Sequence, residues 1–172
     1  VAASLIPLAL VSRSRSGDYA EAKAMLERVL QIREHTIPPD STDIAQALDE
    51  LATLHYEMAD FAAAGPLYER SLAIRKKALG SDHPSVGTTY HNLAGVYENL
   101  GDYGEARWRY ERALKIRERA LGANHPLVAS TMVALALDLQ LMGDRAGASK
   151  LLHGAVRIDE QAYGPAHWEV GY

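Results

Sequence analysis

The sequence contains no cysteine and a single phenylalanine. Without cysteine there is no disulfide framework, no thiol nucleophile and no thiolate metal site, a composition suited to a reducing, cytoplasmic setting. An excess of either charge is also missing: 18 basic and 22 acidic residues give a formal net charge of −4, with no basic patch. Nucleic acid and membrane surfaces are therefore not the expected partners. Leu5 to Val11 form a short apolar run, but no basic residue precedes it and Pro7 interrupts it, so a signal peptide is not indicated. No phosphate loop, His-Glu-x-x-His, Gly-x-Ser-x-Gly or dinucleotide fingerprint occurs, so neither catalysis nor a cofactor is expected. The absence of an initiator Met, and an end just past a helix-start signal, suggest a piece of a longer chain.

What is present is repetition. Gly101 to Pro126 reads GDYGEARWRYERALKIRERALGANHP, and 42 residues earlier the chain reads ADFAAAGPLYERSLAIRKKALGSDHP. A small-Asp pair recurs at Asp18, Asp60, Asp102 and Asp144. Four residues after each stands Ala22, Ala64, Ala106 or Ala148, and four further Leu26, Tyr68, Tyr110 or Leu152. That is helical spacing.

Upstream segments carry their own helical stripes: Leu48, Leu51, Ala52, His55, Met58; Tyr90, Leu93, Ala94, Tyr97, Leu100; Met132, Leu135, Ala136, Leu139, Met142. Each unit thus reads as two amphipathic helices joined at Gly17, Ala59, Gly101 or Gly143, glycine suiting a left-handed helix end. The second helices end at Gly80 and Gly122, and Pro84 and Pro126 open the next first helices. A period of this length with two helices per unit implies hairpins that bury their apolar faces against one another.

The run Leu93, Ala94, Tyr97, Gly101, Asp102, Tyr103, Glu105, Ala106 resembles a tetratricopeptide repeat. The 42-residue form, with ALGSDHPSV and ALGANHPLV between units, resembles the kinesin light chain type of that repeat. The expected fold is all-α: a single right-handed α-solenoid of about four helix-turn-helix hairpins. The repeats fall at approximately 3–38, 45–80, 87–122 and 129–164, with 165–172 as a C-terminal cap or the start of a further repeat.

Several residues invite a chemical reading. His83, His125 and His167 recur at the repeat spacing, but stacked units set them too far apart to share one ion, and they read as turn or capping residues. His55 falls on the core stripe as a satisfied histidine, whereas His91 is expected to face outward. Asp49 and Glu50 read as a solvated pair. Arg107, Arg109, Arg112, Lys115, Arg117 and Arg119, interleaved with Glu105, Glu111 and Glu118, read as a salt-laced solvated face.

Partner binding is expected in a concave groove lined by first helices. The groove positions are Gln46, Asp49, Glu50, Thr53, Tyr56 and Glu57 in the second unit, and Thr88, His91, Asn92, Gly95, Glu98 and Asn99 in the third. Leu137 and Gln140 represent the fourth. The resemblance implies that an Asn before the Leu-Ala pair grips the backbone of an extended peptide; that position is Asn92 here, but Glu50 and Ala134 in the neighbouring units. Kinesin light chain repeats take acidic peptides around a tryptophan. An acidic groove repels such a ligand, so a protein or extended peptide of basic or neutral character is the expected partner.

The fourth unit's first helix adds Val133, Leu137 and Leu141 to its stripe and is apolar nearly all round. Leu5, Leu8 and Val11 do the same in the first unit. Further repeats covering these ends, self-association through them, or an apolar anchor pocket at the fourth unit are the three explanations. Trp168 and Tyr172 are expected to cap the last hairpin, and Pro7 to kink the first helix. The expected function is a non-catalytic protein-interaction module. The alternatives are a sensor or autoinhibitory arm of a larger bacterial signalling ATPase or regulator, and self-assembly through the terminal repeats.

Overall fold

A computed structural model describes residues 19–163. Among these there are seven helices and no strand: α1 (Tyr19–Thr36), α2 (Thr42–Glu57), α3 (Phe61–Leu79), α4 (Pro84–Asn99), α5 (Tyr103–Leu121), α6 (Pro126–Leu141) and α7 (Arg145–Tyr163). Helix starts recur every 42 residues, at 42, 84 and 126 for first helices and at 19, 61, 103 and 145 for second helices. The expectations for Leu5, Pro7, Leu8, Val11, Gly17, Asp18, His167, Trp168 and Tyr172 lie outside the described residues.

The recurring small-Asp pair has a double role. At the α2, α4 and α6 ends, Ala59, Gly101 and Gly143 take φ of 58°, 80° and 89°. The next N–H, of Asp60, Asp102 or Asp144, donates back to the carbonyl of His55, Tyr97 or Leu139 at 2.8–2.9 Å. This is the Schellman closure, which satisfies carbonyls that the helix leaves without partners. The same Asp then caps the following helix: Oδ1 of Asp60, Asp102 and Asp144 accepts from the N–H of Ala63, Glu105 and Gly147 at 3.2, 3.1 and 2.9 Å.

First helices are capped by Ser41, His83 and His125. The two imidazole Nδ1 atoms accept from the N–H of Ser85 and Leu127 at 3.2 and 3.1 Å. The repeated histidines are therefore caps, with their remaining proton on Nε2.

The chain divides into two compact units, Val1–Ser81 and Asp82–Tyr172. In the first, Ala22, Leu26 and Val29 of α1 pack against Ala47, Leu51 and Leu54 of α2, while Ile44, Ala45 and Leu48 meet Ile74 of α3. In the second, Ala94, Ala106, Tyr110, Leu135, Ala136, Leu139 and Ala148 bring α4, α5, α6 and α7 into one core. Val128 and Ala129 of α6 join Ala155 and Ile158 of α7 in another. The repeated alanines Ala22, Ala64, Ala106 and Ala148 are all buried. Small residues let helices approach closely here: a Cβ added to Gly87 of α4 would stand 3.1 Å from Cγ2 of Ile116 on α5. Met58, Leu100 and Met142, assigned to core stripes by spacing, are exposed, because each is the C-cap residue where its helix turns away.

Candidate partner-binding face

In the first unit, Asp49, Thr53 and Tyr56 of α2 are already engaged within the fold. Asp49 forms an ion pair with Arg75 of α3 at 2.7 Å, with only 14% and 13% of the two side chains exposed. It is not the solvated groove carboxylate expected from the sequence, because α3 supplies a cation that the spacing along α2 does not reveal. The Thr53 hydroxyl donates to the Asp49 carbonyl and lies 2.8 Å from the Tyr68 hydroxyl. Tyr56 packs edge-on against Phe61, centroids 5.3 Å apart. Glu50 is half-buried. His55 is buried and bonds through Nδ1 to Asp60 Oδ2 at 2.9 Å, the satisfied core histidine expected. That bond, then the Ala63 N–H, holds the Asp60 carboxyl below its ordinary value.

In the second unit, α4 carries Thr88, His91, Asn92 and Glu98, all half-buried, and the exposed Asn99. Thr88 Oγ1 donates to the Pro84 carbonyl at 3.4 Å, and Asn99 Nδ2 to the Gly95 carbonyl at 2.8 Å. The Tyr110 hydroxyl of α5 donates to Glu98 Oε2 at 3.0 Å.

His91 does not face outward as expected. Its ring meets Tyr110 edge-on at 5.3 Å, and its buried Nδ1 has no hydrogen-bond partner among the described residues. Burial, then the Arg117 charge, push its pKa down to about 4, so it is neutral at pH 7.

The basic second helix also differs from the solvated face expected. Arg107 and Glu111 do form the exposed i, i+4 pair at 2.8 Å. Arg109 and Arg117, however, are buried. The Arg109 guanidinium lies 3.9 Å from the Tyr97 ring centroid and pairs with Glu105. Arg117 Nη1 donates to the Leu127 carbonyl at 3.0 Å and to Thr131 Oγ1 at 2.6 Å, tying α5 to α6. Desolvation lowers its pKa. A long side chain can bury its stem and still pair its head, which a wheel of one helix does not show.

On α6, Val133, Leu137 and Leu141 form an exposed apolar stripe at i, i+4, i+8, with Leu137 47% and Leu141 62% exposed; Gln140 beside them is exposed too. Between them in sequence, Asp138 is 0% exposed, and neither carboxylate oxygen has a hydrogen-bond partner among the described residues. Burial, then the neighbouring Glu98 carboxylate of α4, push its pKa up to about 6. Sequence reasoning missed Asp138, although a signal existed: one and two periods upstream the same position holds Val96 and Leu54, both buried.

Among the described residues no cluster of three potential ligands could hold a metal ion, and no helix is long and apolar enough to cross a membrane.

Comparison with known proteins agrees with this geometry. The tetratricopeptide repeat model matches residues 1–77, 43–119 and 85–161. The crystal structure of BtubC (BKLC) from P. vanneervenii is similar at 25% identity and a TM-score of 0.86, covering 95% of this chain. This chain spans 65% of that protein's length. A Podosopora anserina putative kinesin light chain with nearly identical TPR-like repeats matches at 29% identity and a TM-score of 0.76, over 94% of this chain and 76% of that one. RapI in its apo form, at 15% identity and a TM-score of 0.81, covers 94% of this chain and 56% of its own, and shares the fold. No curated protein matches the sequence. Repeats of this kind serve in general as protein-interaction modules. Helices, caps, turns and repeat period agree with both comparisons: the chain belongs to the tetratricopeptide repeat family, in its kinesin light chain-like form.

Proposed function

We propose that this chain is a non-catalytic, cytoplasmic interaction module, one array of about four repeats that binds an extended peptide or partner segment on the open face of its first helices. The observation that carries this reading is the presence of half-buried Asn92 on α4 and of an exposed apolar stripe on α6 in one unit, whose α4 and α6 share one core. A carboxamide can donate to a peptide carbonyl and accept from its N–H, and an apolar stripe in the same unit can take a side chain. Glu98, Thr88 and Asn99 flank Asn92 along α4, and Gln140 flanks the stripe. In the first unit, Asp49, Glu50, Thr53 and Tyr56 are the corresponding positions, with Asp49 neutralised by Arg75.

Selection from a displayed peptide library against the purified chain tests this reading. One motif should be enriched, and Asn92→Ala and Leu137→Ala should each weaken it. Hits indifferent to both substitutions place binding elsewhere.

The exposed Leu127, Val133, Leu137, Leu141, Met142 and Val156, all on or capping α6 and α7, favour a second reading, self-association through this end of the array. Sedimentation velocity over a concentration series should then show a dimer that Leu141→Glu abolishes. A monomer at every concentration rejects this second reading.

A further inference from the structure

Two carboxylates of the second unit lack a counter-charge. Glu98 accepts one hydrogen bond, from Tyr110, and Asp138 accepts none; neither has a cation bridged to it among the described residues. The two buried arginines of α5 are committed elsewhere, Arg109 to Glu105 and Arg117 to Leu127 and Thr131. A fully buried carboxylate with no donor is costly, and the fold does not need one at this position, since Val96 and Leu54 fill it in the two preceding repeats. Glu98, by contrast, is half-buried and reachable, and its charge is felt at Asp138. Leu137 and Leu141, one residue before Asp138 and three after it, are exposed.

Building on the peptide-binding reading above, we infer that this part of the face takes a peptide carrying a lysine or arginine close to an aliphatic or aromatic residue: the cation pairs with Glu98, with Asp138 adding charge from beneath, and the apolar side chain lies on Leu137 and Leu141. An acidic peptide meets two uncompensated negative charges here. A cationic one supplies the missing counter-charge while its neighbour covers the open leucines. A divalent ion alone is a poorer occupant, because no third ligand stands with the two carboxylates among the described residues.

The test uses the whole chain and a displayed library randomised at eight positions, followed by titration of the most enriched peptide, dye-labelled, into wild type, Glu98→Gln, Asp138→Asn, Leu137→Ser and Asn92→Ala. Circular dichroism confirms that each variant is folded. The expected outcome is enrichment of Lys or Arg within three residues of an apolar residue. Kd should rise roughly tenfold for Glu98→Gln and several-fold for Asp138→Asn, and replacing the peptide's basic residue by norleucine should erase both differences. If the enriched peptides depend on Asn92 and Leu137 but are neutral or acidic, or bind Glu98→Gln as tightly as wild type, the groove reading stands and the charge inference falls. If no peptide is enriched, both fall.

Discussion

At the scale of single residues, two titratable groups of the second unit, the buried Asp138 and the half-buried His91, pull stability in opposite directions with pH. Asp138 is raised from 3.8 to about 6, so the folded state binds its proton more readily, and folding gains stability as pH falls through 6 towards 4. His91 is lowered from 6.5 to about 4, so the folded state resists protonation, and stability is lost across the same window. Asp138→Asn should therefore be more stable than wild type at pH 7 by about 1–3 kcal/mol, because the amide removes the buried charge while leaving a polar group there, yet lose more stability on acidification. His91→Phe should lose less. Thermal unfolding followed from pH 7 to pH 4.5 checks both signs; parallel profiles for the three proteins would contradict these assignments. Neither environment is visible along one helix. His91 is covered by Tyr110 and Arg117 from α5, and a wheel of α4 places it outside. Asp138 emerges only when positions one repeat apart are compared.

At the scale of the element, the hairpins were almost fully legible, because their ends are written in local chemistry. Aspartate closes one helix with its N–H and opens the next with its carboxylate, so its period of 42 locates every described interhelical turn within a hairpin. Ala59 is the exception, with φ of 58° where the equivalent turns use glycine. Left-handed backbone costs an L-residue roughly 1–2 kcal/mol, partly offset by the lower chain entropy of alanine in the unfolded state. Ala59→Gly should thus stabilise by about 0.5–1 kcal/mol. Gly101→Ala, where an added Cβ meets nothing within 4 Å, should destabilise by a similar amount through φ alone. Urea midpoints measure both, and a destabilised Ala59→Gly would show that the turn is not what limits this junction. What the elements did not disclose is how second helices dress the first. The Asp49–Arg75 pair and the Arg117 bonds to α6 are contacts between helices, set by packing rather than period.

At the scale of the molecule, each unit is held by its own core, and α6 keeps an apolar face open that α2 and α4 lack. The sequence already marked α6 as apolar nearly all round; that Leu137 and Leu141 would be exposed required the packing of α7 and α4. On the present account this open face, together with Asn92, is where a partner segment lies. Methyl NMR of the whole chain with the enriched peptide tests that claim most directly, since the Leu137 and Leu141 methyls and the half-exposed Trp108 indole of α5 can be followed in one sample. Added peptide should shift the two leucines and leave Trp108 unmoved. Shifts confined to Trp108 and the α5 surface, with Leu137 and Leu141 unchanged, would contradict it.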